Sequence, residues 1–426
     1  MGPEQAAALP GAPRGALRRD LDLLDAIGIG LGAIVGAGIF VVTGVAAGIA
    51  GPAFLIALFI AAIAATANAL SSAQLAAEYP HAGGAYEYGY RVLNPWAGFA
   101  AGWMFLASKI AAAGTVALGL AGYLETLVPG LPPRLIAVGV IVAFTALNYL
   151  GVKRSSRANL AIVTISVGTL LLFVIAGAGS FRIENLRPFA PAGVGGVLEA
   201  AALLFFAYTG YARIATLAEE VREPRRVIPR AIVLTLGGAV LLYAGVAAVA
   251  VGAIGADAMA SAAAPLHAAA LAFPDPRVGV IVSLGGVTAM LGVILSQLLG
   301  LSRMAFAMGR RGDLPRVLAW IHPRYEVPGR AVLIVGALAA LVAATGTLGA
   351  VASAASFTIL VYYGIANTAA LCMPRRAKLY SDAVPVVGLV SCVCLALSLN
   401  LSVVITGIVI LAAGLALRSL GQALQR

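Results

Sequence analysis

The groups best suited to chemistry in this chain are backbone groups. In "GAIVGAGIFVVTG", Gly32 to Gly44, the triplet Gly36-Ala37-Gly38 stands midway along an apolar run. Glycine is the poorest helix former after proline, whereas a segment in lipid must satisfy its backbone hydrogen bonds internally. Local unwinding would free N–H groups at the start of one half-helix and carbonyls at the end of the other. Such N–H groups attract an anion, because the donors and the helix dipole point the same way. A carboxylate would satisfy them, and the freed carbonyls suit an ammonium or Na+. Packing alone needs one small residue per turn, which Gly28 and Gly32 already supply.

A second break is expected at a corresponding place. "LLFFAYTGYARIATLAEE", Leu203 to Glu220, carries Gly210 among aromatic and β-branched residues, which form helix less readily than the Leu and Ala around them. Two charges also stand inside apolar runs. Lys109, in "FLASKIAAAG", is a functional candidate by its cost in the bilayer; it reads as a proton carrier, a fixed internal cation or a group that shapes the pocket. Arg213 lies six residues before Glu219 and either reaches the interface or pairs with an acid. Ser166, Ser283 and Thr288 could hold a sodium ion, although such hydroxyls often bond their own backbone.

The elements that must position these groups are membrane helices. The 426 residues are 61% hydrophobic and 11% charged, against about 25% charged in soluble domains. Apolar runs of about 20 residues fall at 26–49, 53–77, 96–127, 134–151, 158–180, 194–217, 231–255, 277–307, 330–347, 350–373, 384–399 and 401–418, so twelve spans are expected. The 28 Lys and Arg exceed the 17 Asp and Glu. They concentrate in short loops, which argues for topology and anionic lipid as their partners, not nucleic acid. With both termini inside, only Arg134, Arg182, Arg187 and Arg277 fall in outside loops. Residues 1–24 read as a cytoplasmic lead-in, not a signal peptide. Cys372, Cys392 and Cys394 read as small core residues, not a disulfide or metal site. The charged stretch Ala218 to Arg230 reads as an amphipathic helix on the inner face, and "EYPHAGGAYEYG" as a glycine-kinked inner loop.

Several long stretches, in this order, resemble the amino acid–polyamine–organocation (APC) superfamily of transporters: "GLGAIVGAGIFVVTG", "EYPHAGGAYEYGYRVLNPWAGFAAGW", "NYLGVKRSSRANL", "FFAYTGYARIATLAEEVREPRRVIPRAI", "SRMAFAMGRRGDLP" and "HPRYEVPGRA". The resemblance implies an all-α membrane protein of twelve transmembrane helices. Its fold would be the five-plus-five inverted repeat of the sodium-coupled leucine transporter, with helices 1 and 6 broken. The first repeat would occupy 25–190, the second 191–373, and spans 11 and 12 would lie in 374–426. By position, the amides of Ala37, Gly38 and Ile39, beside Gly36, would hold a substrate carboxylate. The carbonyls of Ile34, Phe206, Ala207 and Thr209 would hold its amino group, with Phe206 as an aromatic lid. Many proton-linked relatives carry a lysine where Ser166 stands, and many carry an acid at the position of Ala212, just before Arg213. Lys109, Ser166 and Arg213 are therefore the candidates for coupling.

"GIGLGA", Gly28 to Ala33, is no dinucleotide loop, because no strand precedes it. His81, His267 and His322 form no metal or catalytic pattern, so no enzyme and no bound cofactor is expected. The expected function is secondary transport of an amino acid, favoured neutral, by alternating access, with proton coupling or exchange. A cationic amino acid or polyamine antiporter is the alternative within transport, and a channel or solute-sensing receptor the alternative class.

Overall fold

The computed structural model describes residues 22–79, 83–151, 156–215, 221 and 223–423, and every extended element in it is helical. Chain order gives α1 (Leu23–Ile34), a π-turn (Gly38–Val42), α2 (Thr43–Ala50), α3 (Phe54–Glu78), α4 (Ala85–Tyr88) and α5 (Pro95–Leu127). Then come α6 (Pro133–Tyr149), α7 (Ser156–Gly177), α8 (Gly193–Tyr208), α9 (Ala212–Ala215), α10 (Pro224–Ser261) and α11 (Pro265–Ala270). The chain finishes with α12 (Arg277–Arg311), α13 (Gly329–Thr345), α14 (Leu348–Cys372), α15 (Ala383–Ser398) and α16 (Leu401–Ala423).

Local chemistry sets several of these boundaries. Asp22 and Asp25 form a reciprocal capping box at the start of α1, which satisfies donors the helix start leaves open. The Asn94 side chain accepts from the Trp96 and Ala97 amides with Pro95 at the first helical position, where a missing N–H costs nothing. Among the described residues, eight stretches are long and apolar enough to cross a membrane by length and composition; the first, Leu23–Glu78, contains α1 to α3. Pro133–Tyr149, Gly329–Thr345 and Ala383–Ser398 are shorter apolar helices.

The centre is α5, which packs against α12, α13, α14, α6 and α16. Its buried face is rich in small residues, from Gly98 and Gly102 to Gly119 and Gly122, and these let neighbouring helices approach closely. The packing is organised in matched pairs. As α5 packs on α14, so α12 packs on α7; as α3 packs on α8, so α10 packs on α1 and α2. As α5 meets α6, so α12 meets α13, and α6 meets α13, α3 meets α10 and α5 meets α12 directly.

The α-helix of span 6 is interrupted around Gly210 by a 3-10 turn, Thr209–Tyr211, between α8 and α9. Two expectations are corrected here. Residues 224–230 are the first turns of α10, with Pro229 inside it, rather than a separate surface helix; 218–220 and 222 lie outside the described residues. Of the cysteines, only Cys392 is buried, and its thiol donates to Asn68 Oδ1 at 3.3 Å; Cys372 and Cys394 are exposed on their helices.

Candidate functional site

Span 1 is interrupted where the glycines predicted. Val35 is extended (φ −73°, ψ 109°) and closes α1 by donating to Leu31 O. The chain then re-enters helix at the π-turn and continues as α2. The first amides of a resumed helix have no acceptor within it. The Gly36 carbonyl accepts from Ile39 N at 3.2 Å and Phe40 N at 3.3 Å. The Ile39 amide is therefore spent inside the turn, which leaves Ala37 and Gly38 to carry the expected anion contact.

The 3-10 turn of span 6 lies directly on this break. A Cβ on Gly38 would come 2.5 Å from Ala207 Cα, and one on Gly210 would come 2.3 Å from the Ala33 carbonyl and 2.5 Å from Ile34 N. The contacts run in opposite order along the two segments, so they cross antiparallel, each glycine seated on the other's backbone. This contact explains why span 6 only tightens: the space an open turn would need is filled by the backbone of α1. Val293 of α12 closes a third side, its Cγ2 2.8 Å from where a Gly36 Cβ would stand.

The carbonyls expected to meet an amino group already have donors. Tyr243 OH donates to Ile34 O at 2.9 Å. Thr209 gives Phe206 O both its amide and its hydroxyl, the latter at 2.9 Å. A carbonyl has two lone pairs, so Ile34 O keeps one free while both of those on Phe206 O are engaged. Phe206 is 8% exposed, and Ala207 and Thr209 are buried beside it. The Tyr243 ring lies 5.4 Å from that of Tyr208, and Tyr211 lies 5.4 Å from Tyr363.

The coupling candidates stand on three different helices, Lys109 on α5, Ser166 on α7 and Arg213 on α9. Lys109 is half-buried on α5, with Nζ 5.8 Å from the Phe105 ring centroid, and Phe105 lies 5.2 Å from Tyr362. Gly119 of the same helix packs on Val41; Lys109 comes ten residues earlier, about 15 Å along the axis. Ser166 donates to Ile162 O and Thr288 to Leu284 O, each at 2.7 Å. Ser283 instead meets Thr126 Oγ1 at 2.7 Å and His267 Nδ1 at 2.9 Å. The three hydroxyls expected around a sodium ion thus have separate partners, and a hydroxyl that donates still has oxygen lone pairs to offer a cation. Arg213 is in α9, and its side chain lies outside the described residues, as does His81.

Sequence reading missed a charged network that joins α4 to the C-terminal end of α12. Gly84 (φ +56°) turns the chain so that Ala85 N donates to Tyr362 OH at 3.0 Å. Glu87 then binds Arg91 at 2.6 Å and Arg311 at 2.7 Å. Burial alone would raise the Glu87 carboxyl; hydrogen bonds from both arginines outweigh it and hold the carboxyl below its ordinary value. Asp313 accepts from Tyr86 OH at 2.7 Å and Tyr90 OH at 2.6 Å and pairs with Arg418 at 3.2 Å. Burial and the bond to Asp313 push both phenols above their ordinary range. The available signals were "AYEYGYR" and "GRRGD", whose charges suggested only topology. A separate apolar groove of about 500 Å³, lined by Phe59, Ile63, Val240 and Val387, lies between α3, α10 and α15, away from the crossing.

Comparison with known proteins identifies the family. The family model for amino acid permeases matches residues 25–420. An uncharacterised transporter of Mycobacterium tuberculosis is 44% identical over 408 residues, covering 94% of this chain and 90% of that protein. The branched-chain amino acid permease of Bacillus subtilis is 32% identical, covering 90% of this chain and 88% of its own. Cationic amino acid transporter 4 of Mus musculus is 32% identical over 83% of this chain and 59% of its own. The match along nearly the whole chain makes this protein a member of the amino acid permease family of the APC superfamily, a multi-pass membrane transporter and not an enzyme.

Proposed function

We propose that this chain carries a neutral amino acid across the cell membrane by alternating access. The repeats 25–190 and 191–373 rock around the crossing, 374–426 adds two spans, and both termini are cytoplasmic. Twelve spans result when Leu23–Glu78 is read as two and the three shorter helices are counted. The matched packing supports the repeat: exchanging spans 1–5 for 6–10 carries each contact pair onto another.

The observation that carries the reading is the glycine crossing, with the Ala37 and Gly38 amides at the start of a half-helix. Those amides suit a carboxylate, and the second lone pair of the Ile34 carbonyl suits the amino group. The side chains named around the crossing, Val35, Ile39, Phe40, Phe206, Ala207 and Val293, carry no acid to balance a cationic substrate, which favours a neutral one. The cationic alternative rests on the names of relatives such as the mouse transporter. Lys109 is the coupling residue of choice, through proton transfer, with substrate exchange as the other mode.

The test is uptake of labelled leucine, alanine and lysine by purified protein in liposomes, with and without a pH gradient. Saturable uptake competed by neutral amino acids is expected. Preferential lysine uptake would establish the cationic reading, and conductance without saturable uptake would establish a channel.

A further inference from the structure

We infer that Tyr123 is a positioning residue that ties the external helix α11 to the shape of the substrate-holding turn; this rests on the transport reading above. Tyr123 is fully buried near the outer end of α5. Its hydroxyl donates to Phe40 O at 2.6 Å and accepts from Leu266 N at 3.2 Å. Phe40 lies in the π-turn that follows Gly38, and Leu266 is the second residue of α11. Pro265 before it has no N–H, so the Leu266 amide is the first donor of α11, a group that no helix bond satisfies.

The two bonds depend on each other. A hydroxyl has one proton to give. With the Leu266 amide on its oxygen, the proton is aimed at Phe40 and the bond strengthened by polarisation. Within the turn, Thr43 Oγ1 donates to Ile39 O at 2.7 Å. Two successive carbonyls of the π-turn are therefore held by side-chain hydroxyls, one of which reaches in from another helix. A π-turn is a rare, locally strained register that marks functional sites. Without the Tyr123 donor it relaxes towards α-helical register, and the Ala37 and Gly38 amides turn with it.

The seat of α11 is made by close contacts on both sides. A Cβ on Gly44 would come 2.5 Å from Pro265 Cγ, and one on Gly122 2.7 Å from Ala263 O. His267 Nδ1 lies 3.0 Å from Gly279 O and 2.9 Å from Ser283 Oγ. When α11 lifts, Tyr123 loses its donor and the grip on the carboxylate loosens, so the outer helix reports its position to the site by one hydroxyl.

The experiment is saturable uptake in oriented liposomes for wild type, Tyr123→Phe, Gly122→Ala and the double variant, each checked for monodispersity. Tyr123→Phe keeps the edge contact between the Tyr123 and Phe40 rings at 5.8 Å and deletes both bonds. We expect KM for external substrate to rise about tenfold, as loss of one buried hydrogen bond would give, with maximal rate within about twofold. Gly122→Ala displaces α11 while keeping the hydroxyl and should raise KM similarly, and the double variant should be no worse than either single. An unchanged KM in Tyr123→Phe, or fully additive effects in the double variant, overturns the inference. Wild-type protein with no saturable uptake would instead defeat the transport reading.

Discussion

Asp313 and Arg418 face each other at 3.2 Å with side chains only 6% exposed, joining the turn after α12 to α16. Arg418 also donates to Pro95 O at 2.7 Å and lies over the rings of Trp96 and Phe99. Removing one partner from such a pair strands a buried charge, at about 3–5 kcal/mol. Asp313→Asn should therefore lower the melting temperature in detergent by many degrees. Asp313→Asn combined with Arg418→Gln should recover part of the loss, and purely additive destabilisation would show that the ions do not act as a pair.

The pH dependence of stability should carry the mark of Glu87. Its carboxyl sits below the ordinary value in the folded protein. Its contribution is fully present above the unfolded carboxylate pKa, about 4.3, and is lost as pH falls through the lower folded value. Melting temperatures of the wild type should show an acid limb in that window that Glu87→Gln lacks. An identical acid limb in both would remove Glu87 as its source.

At the crossing, Gly38→Ala and Gly210→Ala push a methyl into backbone that cannot move aside, and overpacking of this kind costs about 1–3 kcal/mol. Both should abolish uptake. Gly28→Ala, whose Cβ would meet nothing within 4 Å, should transport normally. Normal uptake by either crossing variant would mean that the contact has no part in transport.

Lys109 separates coupling from binding. If it carries the proton, Lys109→Ala should lose uptake driven by a pH gradient yet retain exchange of internal for external substrate. Unchanged rates and pH profiles in both Lys109→Ala and Lys109→Arg would take the residue out of the mechanism.

If the Ser166 hydroxyl serves only the bond to its own helix, Ser166→Ala should leave uptake within about twofold in sodium or potassium medium. A strong sodium dependence abolished by this substitution would restore Ser166 as an ion ligand.

Much of the architecture was legible because lipid imposes a simple code: apolar runs became helices, and a glycine cluster in mid-run became the break at Val35-Gly36. The depth of the second interruption was not legible. Gly210 signals a weak helix, but only its contact with Ala33 shows why the turn tightens instead of opening. The groups that hold the break were also out of reach. Tyr243 reaches Ile34 and Tyr123 reaches Phe40 across 209 and 83 residues of chain, and no local spacing announces such partners. The charges of "AYEYGYR" and "GRRGD" were visible, but pairing Glu87 with Arg311 needs the fold.

The mutual seating of Gly38 and Gly210 leaves this scaffold without slack at its heart. A bulkier cargo cannot be accommodated by remodelling either glycine, since each is already flush against the opposite main chain. Anyone retuning the carrier for larger solutes would have to carve room from the side walls, at Val293 or Phe206, and leave the two bare positions untouched.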